Sequence, residues 1–132
     1  MTEIKTFAVP FALGETQENI NDNSNTTSKE QIISQAIKLH VEGNIIEATK
    51  YYQQIINQGC NDHRVFSNYG AILIGLGKLK EAEILTRKAI ELNPNDGMAH
   101  SNLGIIFKDL GKLKEAEILT RKAIELSPNL TN

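Results

Sequence analysis

The chain has no tryptophan, one cysteine and three prolines in 132 residues, and each shortage narrows what it can be. A lone Cys60 permits neither a disulfide framework nor a thiolate zinc site, which accords with a reducing compartment such as the cytoplasm. Cys60 itself reads as a small packing residue. No apolar run approaches the roughly 18 to 20 residues that span a bilayer, so no membrane partner is expected. The one apolar stretch near the N-terminus, residues 7–13 (FAVPFAL), is short and broken by Pro10.

Charge of one sign is missing as well. Fourteen basic residues against 16 acidic leave a net charge of -2, too little to draw the chain to a nucleic acid or an anionic surface. Lys78, Lys80, Arg87 and Lys88 make a basic face, yet Glu81, Glu83 and Glu91 interleave it and no aromatic residue accompanies it. Nucleic acid is therefore not an expected partner. Catalytic groupings are absent too. His40, His63 and His100 lie 23 and 37 residues apart, a spacing that suits neither a metal site nor a nucleophile with its base. No glycine-rich phosphate loop is present. We expect no enzyme, no catalytic residue, no metal and no cofactor.

What the chain does have is repetition. GKLKEAEILTRKAIEL runs from Gly77 to Leu92 and again, letter for letter, from Gly111 to Leu126, an offset of 111 minus 77, or 34 residues. A fixed period between about 20 and 50 residues marks a stacked-repeat protein. Gly43, Gly77 and Gly111 keep that period, and Ala48, Ala82 and Ala116 follow each of them five residues later. Each block contains two runs of helical period. In the third, Ala99, Leu103, Ile106, Phe107 and Leu110 form one face, and Leu113, Ala116, Ala123 and Ile124 form the next. The spacing predicts a helical hairpin per block: an all-α superhelix of three hairpins at about 29–62, 63–96 and 97–130. Residues 1–27 form a disordered tail by composition, since 14–27 (GETQENINDNSNTT) carries a single aliphatic residue. Order is expected from Ser28 to the end of the chain. Gly59 suits a left-handed turn after the first hairpin, and Pro94 and Pro128 stop the other two. Asp62 and Asp96 stand where acidic caps favour the next helix.

These blocks resemble the tetratricopeptide repeat, a 34-residue helix-turn-helix. The likeness is carried by Leu103, Gly104, Phe107, Gly111, Ala116, Ala123 and Pro128 in the third block. Tyr69, Gly70, Leu73, Gly77, Ala82, Ala89 and Pro94 carry it in the second. The first block departs, with Ala36 in place of the glycine and Cys60 in place of the proline. Gly70 is expected to meet Ala82, and Gly104 to meet Ala116, because helices approach within about 8 to 10 Å only where side chains are small.

The resemblance implies a protein-binding module whose first helices line a concave groove. Its candidate residues are Ser34, Arg64, Ser67, Asn68, Ala71, Met98, Ser101, Asn102, Ile105 and Lys108. Asn68 and Asn102 are similar to a ladder of asparagines that grips a peptide backbone, an amide being both donor and acceptor. The carboxylate clamp that some relatives use on chaperone tails is not matched. Ile33, Ile37, Met98 and Asn102 replace its polar and cationic residues, and only Asn68 agrees. A rival implication is that the chain resembles the N-terminal adaptor, or a remnant, of a longer bacterial glycosyltransferase or sulfotransferase carrying GKLKEAE units. An uncovered last helix, with Leu119, Ala123 and Leu126, further leads us to expect weak self-association through that end.

Overall fold

The computed structural model describes residues 28–126. The expected tail, its apolar segment 7–13 and Pro128 lie outside the described residues. Six helices follow one another: α1 (Ser28–Val41), α2 (Ile45–Asn57), α3 (His63–Gly75), α4 (Leu79–Leu92), α5 (Gly97–Asp109) and α6 (Leu113–Leu126). There is no strand among the described residues, and the pairs α1/α2, α3/α4 and α5/α6 are the three expected hairpins.

The glycines that mark the period do so for a backbone reason. Gly77 and Gly111 have φ of +80° and +84°, a left-handed conformation that side chains resist. They end α3 and α5 in the same way. The next residue reaches back to the helix, Lys78 N–H donating to the Leu73 carbonyl at 2.9 Å and Lys112 N–H to the Phe107 carbonyl at 2.7 Å. A side chain at either glycine would meet no atom within 4 Å. Conformation, not space, therefore requires glycine there. The acidic caps are as expected: Asp62 Oδ1 accepts from Arg64 N–H and Asp96 Oδ1 from Ala99 N–H, both at 2.9 Å.

Within the second and third hairpins the close contact differs in detail from expectation. A Cβ at Gly70 would lie 3.7 Å from the Ala82 carbonyl but only 2.7 Å from Thr86 Oγ1. At Gly104 the same distances are 3.4 Å to Ala116 and 3.1 Å to Thr120 Oγ1. The alanine admits the glycine, and the threonine one turn later closes over it. In the first hairpin Ala36 and Tyr52 hold these places. Tyr52 is fully buried, its hydroxyl 3.1 Å from His40 Nδ1 and its ring stacked on Tyr69 at 6.2 Å.

Stacking repeats along the chain. Val65 and Ile72 of α3 enter the core of the first hairpin, with Ile37, Tyr52 and Ile55. Ala99 and Ile106, each 34 residues later, enter the cores formed with the second hairpin. The equivalent α1 residues are Gln31 and Lys38, both exposed, and so are Ser34 and Gln35 on that same face. The array thus begins on a polar surface.

Candidate peptide-binding face

The first helices, α1, α3 and α5, carry all ten candidate groove residues. Stacking sorts them into three groups. Ser67, Asn68, Ala71 and Asn102 are buried, at 0%, 0%, 4% and 1% exposure. Arg64, Met98 and Ser101 are half-buried, and Ser34, Ile105 and Lys108 are exposed.

The two asparagines of the expected ladder differ in their surroundings. Asn102 donates its Nδ2 to the Ser67 carbonyl at 3.1 Å, clipping α5 to the helix one unit before it. Asn68 has no such acceptor in use, and neither of its amide atoms makes a hydrogen bond of good geometry. Its amide lies beside Tyr52, whose phenol is pushed well above its ordinary range by burial, against the opposing effect of Asn68 and Arg64. As placed, both amides face neighbouring helices, so a peptide must move those neighbours to reach them. Arg64 lies over its own cap. Its Nε and Nη2 donate to the two carboxylate oxygens of Asp62 at 3.0 and 2.6 Å. Burial works to raise the Asp62 pKa, but the hydrogen bonds and charge of Arg64 outweigh it and hold the group below its usual value.

One grouping was not legible from spacing along the chain. His63 Nδ1–H donates to Asp96 Oδ2 at 2.7 Å and its Nε2 accepts from Asn93 Nδ2 at 3.2 Å. His100 Nε2–H donates to the Pro94 carbonyl at 2.9 Å. Asp96 thereby caps α5 with one oxygen and holds α3 with the other. The arrangement fastens the 93–96 turn between two hairpins. Only the near-repeat offset of 33 residues between His63 and Asp96 hinted at the pairing.

The remaining candidates border an open space. Ser101, Ile105 and Lys108 of α5, with Gly104 between them, face Leu113, Ala116, Glu117, Thr120 and Arg121 of α6 across a groove of about 590 Å3. Its floor is small or apolar, and its rim carries Lys108 and an Arg121–Glu117 ion pair of 2.7 Å.

Comparison with known proteins gives three results. Models of the tetratricopeptide repeat match residues 63–96, which is the second hairpin, and residues 85–118, which run from within α4 through α5 into α6. No curated protein matches the sequence significantly. Among solved structures, the Arabidopsis OM64 TPR domain superposes with a TM-score of 0.71 at 21% identity, covering 80% of this chain and 87% of that one. The second TPR domain of Spaghetti (RPAP3), bound to the HSP90 peptide SRMEEVD, gives 0.71 at 23% identity, covering 87% and 99%. The type III secretion translocator chaperone SycD of Yersinia enterocolitica gives 0.67 at 24%, covering 81% and 80%. Tetratricopeptide repeat models thus match within residues 63–118, and the fold is that of these three structures over at least 80% of the chain.

Proposed function

We propose that this chain is a non-catalytic protein-interaction module that holds a peptide segment of another protein against its first helices. The observation that carries this reading is the open groove beside Ser101, Ile105 and Lys108. It has the mixture of apolar floor and sparse polar rim that recognition sites use. A structural neighbour of the same fold is a peptide-bound domain, which supports the class of ligand and does not name it. The transferase-linked reading rests on the shared GKLKEAE units alone.

Selection from a displayed peptide library against the whole chain tests the proposal. Peptides of about micromolar affinity are expected, and Ile105→Glu or Lys108→Glu in the chain is expected to abolish their capture. A library that yields no binder, or binders indifferent to both substitutions, would sink it. The acidic tail bound by the Spaghetti domain is not the expected ligand. Ile33 and Ile37, at clamp positions, are buried at 4% and 0%, and Met98 carries no charge. Titration with SRMEEVD should therefore show no saturable binding up to millimolar concentration, the regime of about 4 kcal/mol or less.

A further inference from the structure

The groove on α5 and α6 has an internal precedent. Subtracting 34 from its lining residues gives Ser67, Gly70, Ala71 and Ile74 of α3 with Leu79, Ala82, Glu83, Thr86 and Arg87 of α4, and on that surface α5 itself is seated. Ser67 accepts from Asn102. Ile74, Leu79 and Ala82 pack with Leu103, Ile106 and Phe107. The Arg87 guanidinium lies 5.6 Å from the centre of the Phe107 ring.

The α6 wall is identical in sequence to the α4 wall, so differences between them report what packs on each: α5 covers α4, and no described helix covers α6. Thr86 is fully buried and Thr120 exposed; Leu79 is half-buried and Leu113 is 64% exposed. Ile84 and Ile118, on the face turned away from the stack, are alike at 69% and 67%. The α5 wall differs from the α3 wall in carrying Ile105 for Ala71 and Lys108 for Ile74.

From this we infer that the groove is a seat for one amphipathic helix of the α5 type, presented by a partner protein. The inference rests on the interaction-module reading and names its occupant. Such a helix carries a small residue, then asparagine-leucine, then isoleucine-phenylalanine, in the register of Ala99, Asn102, Leu103, Ile106 and Phe107. The asparagine would donate to the Ser101 carbonyl, and the phenylalanine would lie under Arg121. None of the first helices of a second copy is suited to the seat. The outward face of α1 is Gln31, Ser34, Gln35 and Lys38, whereas α3 and α5 already use their apolar faces within the stack.

The test titrates a labelled synthetic peptide of residues 94–110 (PNDGMAHSNLGIIFKDL) with the whole chain. Variants Leu113→Glu and Thr120→Lys alter exposed positions of the seat, and Ile84→Glu serves as control, with helicity checked by circular dichroism. Saturable binding is expected, weakened at least about tenfold by each seat variant, unchanged by Ile84→Glu, and lost when the peptide carries Ile106→Glu. Absence of binding overturns the inference. So does binding indifferent to Leu113→Glu and Thr120→Lys, which would mean exchange with α5 elsewhere. A chain that scatters light as a dimer and becomes monomeric with Leu113→Glu overturns it too, because a second copy then fills the seat. If library peptides depend on Ile105 while the 94–110 peptide does not bind, the module reading stands and this occupant is rejected.

Discussion

His40 shows how one buried group sets a pH limit on the fold. Burial lowers its pKa from 6.5 to about 4, so the folded chain holds it neutral beside the Tyr52 hydroxyl while the unfolded chain takes up a proton near pH 6.5. The unfolded state therefore binds more protons between these values. Stability is full above about pH 6.5 and falls as pH drops toward 4, by on the order of 3 kcal/mol. Urea melts at pH 7 and pH 4.5 should show the loss, and His40→Gln should reduce it. The asparagines offer a matched pair at the same scale. Asn68→Ala and Asn102→Ala remove equal volumes from buried sites, but only the second breaks a hydrogen bond of good geometry, the one to Ser67, whereas Asn68 has its contact with the Tyr52 hydroxyl. Asn102→Ala should therefore cost about 1 kcal/mol more than Asn68→Ala. Equal midpoints in chemical melts would show that the clip to Ser67 contributes nothing. At the glycines, Gly70→Ala is expected to cost about 1 to 3 kcal/mol, since its Cβ meets a buried Thr86 hydroxyl at 2.7 Å. Gly104→Ala should be close to neutral. Its contact at 3.1 Å is with the exposed Thr120, and alanine gains about 1 kcal/mol of helix propensity. Gly104→Leu, which brings a far larger side chain against Ala116 and Leu119, should cost several kcal/mol by thermal melting.

Among the elements, α4 and α6 are the same 14 residues in two environments. Propensity, charge pairs and turn chemistry are shared, so any difference in their behaviour belongs to tertiary contact. With α5 packed over α4 and no described helix over α6, the backbone amides of α6 should exchange with solvent at least about tenfold faster than their twins in α4, measured by native-state hydrogen exchange. Similar protection would mean that something covers α6. The comparison also shows where reading the chain succeeds. The succession of helices, the acidic caps at Asp62 and Asp96 and the turn at Gly59 follow from local chemistry, and all were legible. Residues facing a neighbour were harder. Ser67 and Ala71 were assigned to an open groove by their position in the unit, yet both are buried. Their counterparts Ser101 and Ile105 keep exposure only because nothing described follows them. Thr86, which no pattern in the chain singles out, is the tightest neighbour of Gly70. A helical period reveals which side of a helix is apolar; whether the partner on that side is present is a fact about the next unit.

Across the whole molecule the two ends are unlike. The first helix shows Gln31, Gln35 and Lys38 where the second unit shows Val65, Tyr69 and Ile72, whereas the last hairpin keeps the apolar and small residues of an interior unit. Head-to-tail stacking of copies would bury Lys38 against Leu113 and its neighbours, and an unpaired buried charge is costly. Filaments built by head-to-tail stacking are therefore not expected. The word-for-word identity of α4 and α6 has a consequence for heredity. Strand slippage between two such coding stretches would add or remove residues in steps of 34, and a chain gaining a second copy of residues 77–110 would still start with the polar α1 face and end with the same α6 groove. Its new junctions would repeat ones that already fit, and each added interface between units adds stability. Such a four-hairpin chain should melt at a higher temperature than this one and bind the 94–110 peptide equally well. The surfaces at the ends are thus insulated from changes in length, and a lineage could vary the span of the array without relearning what it binds.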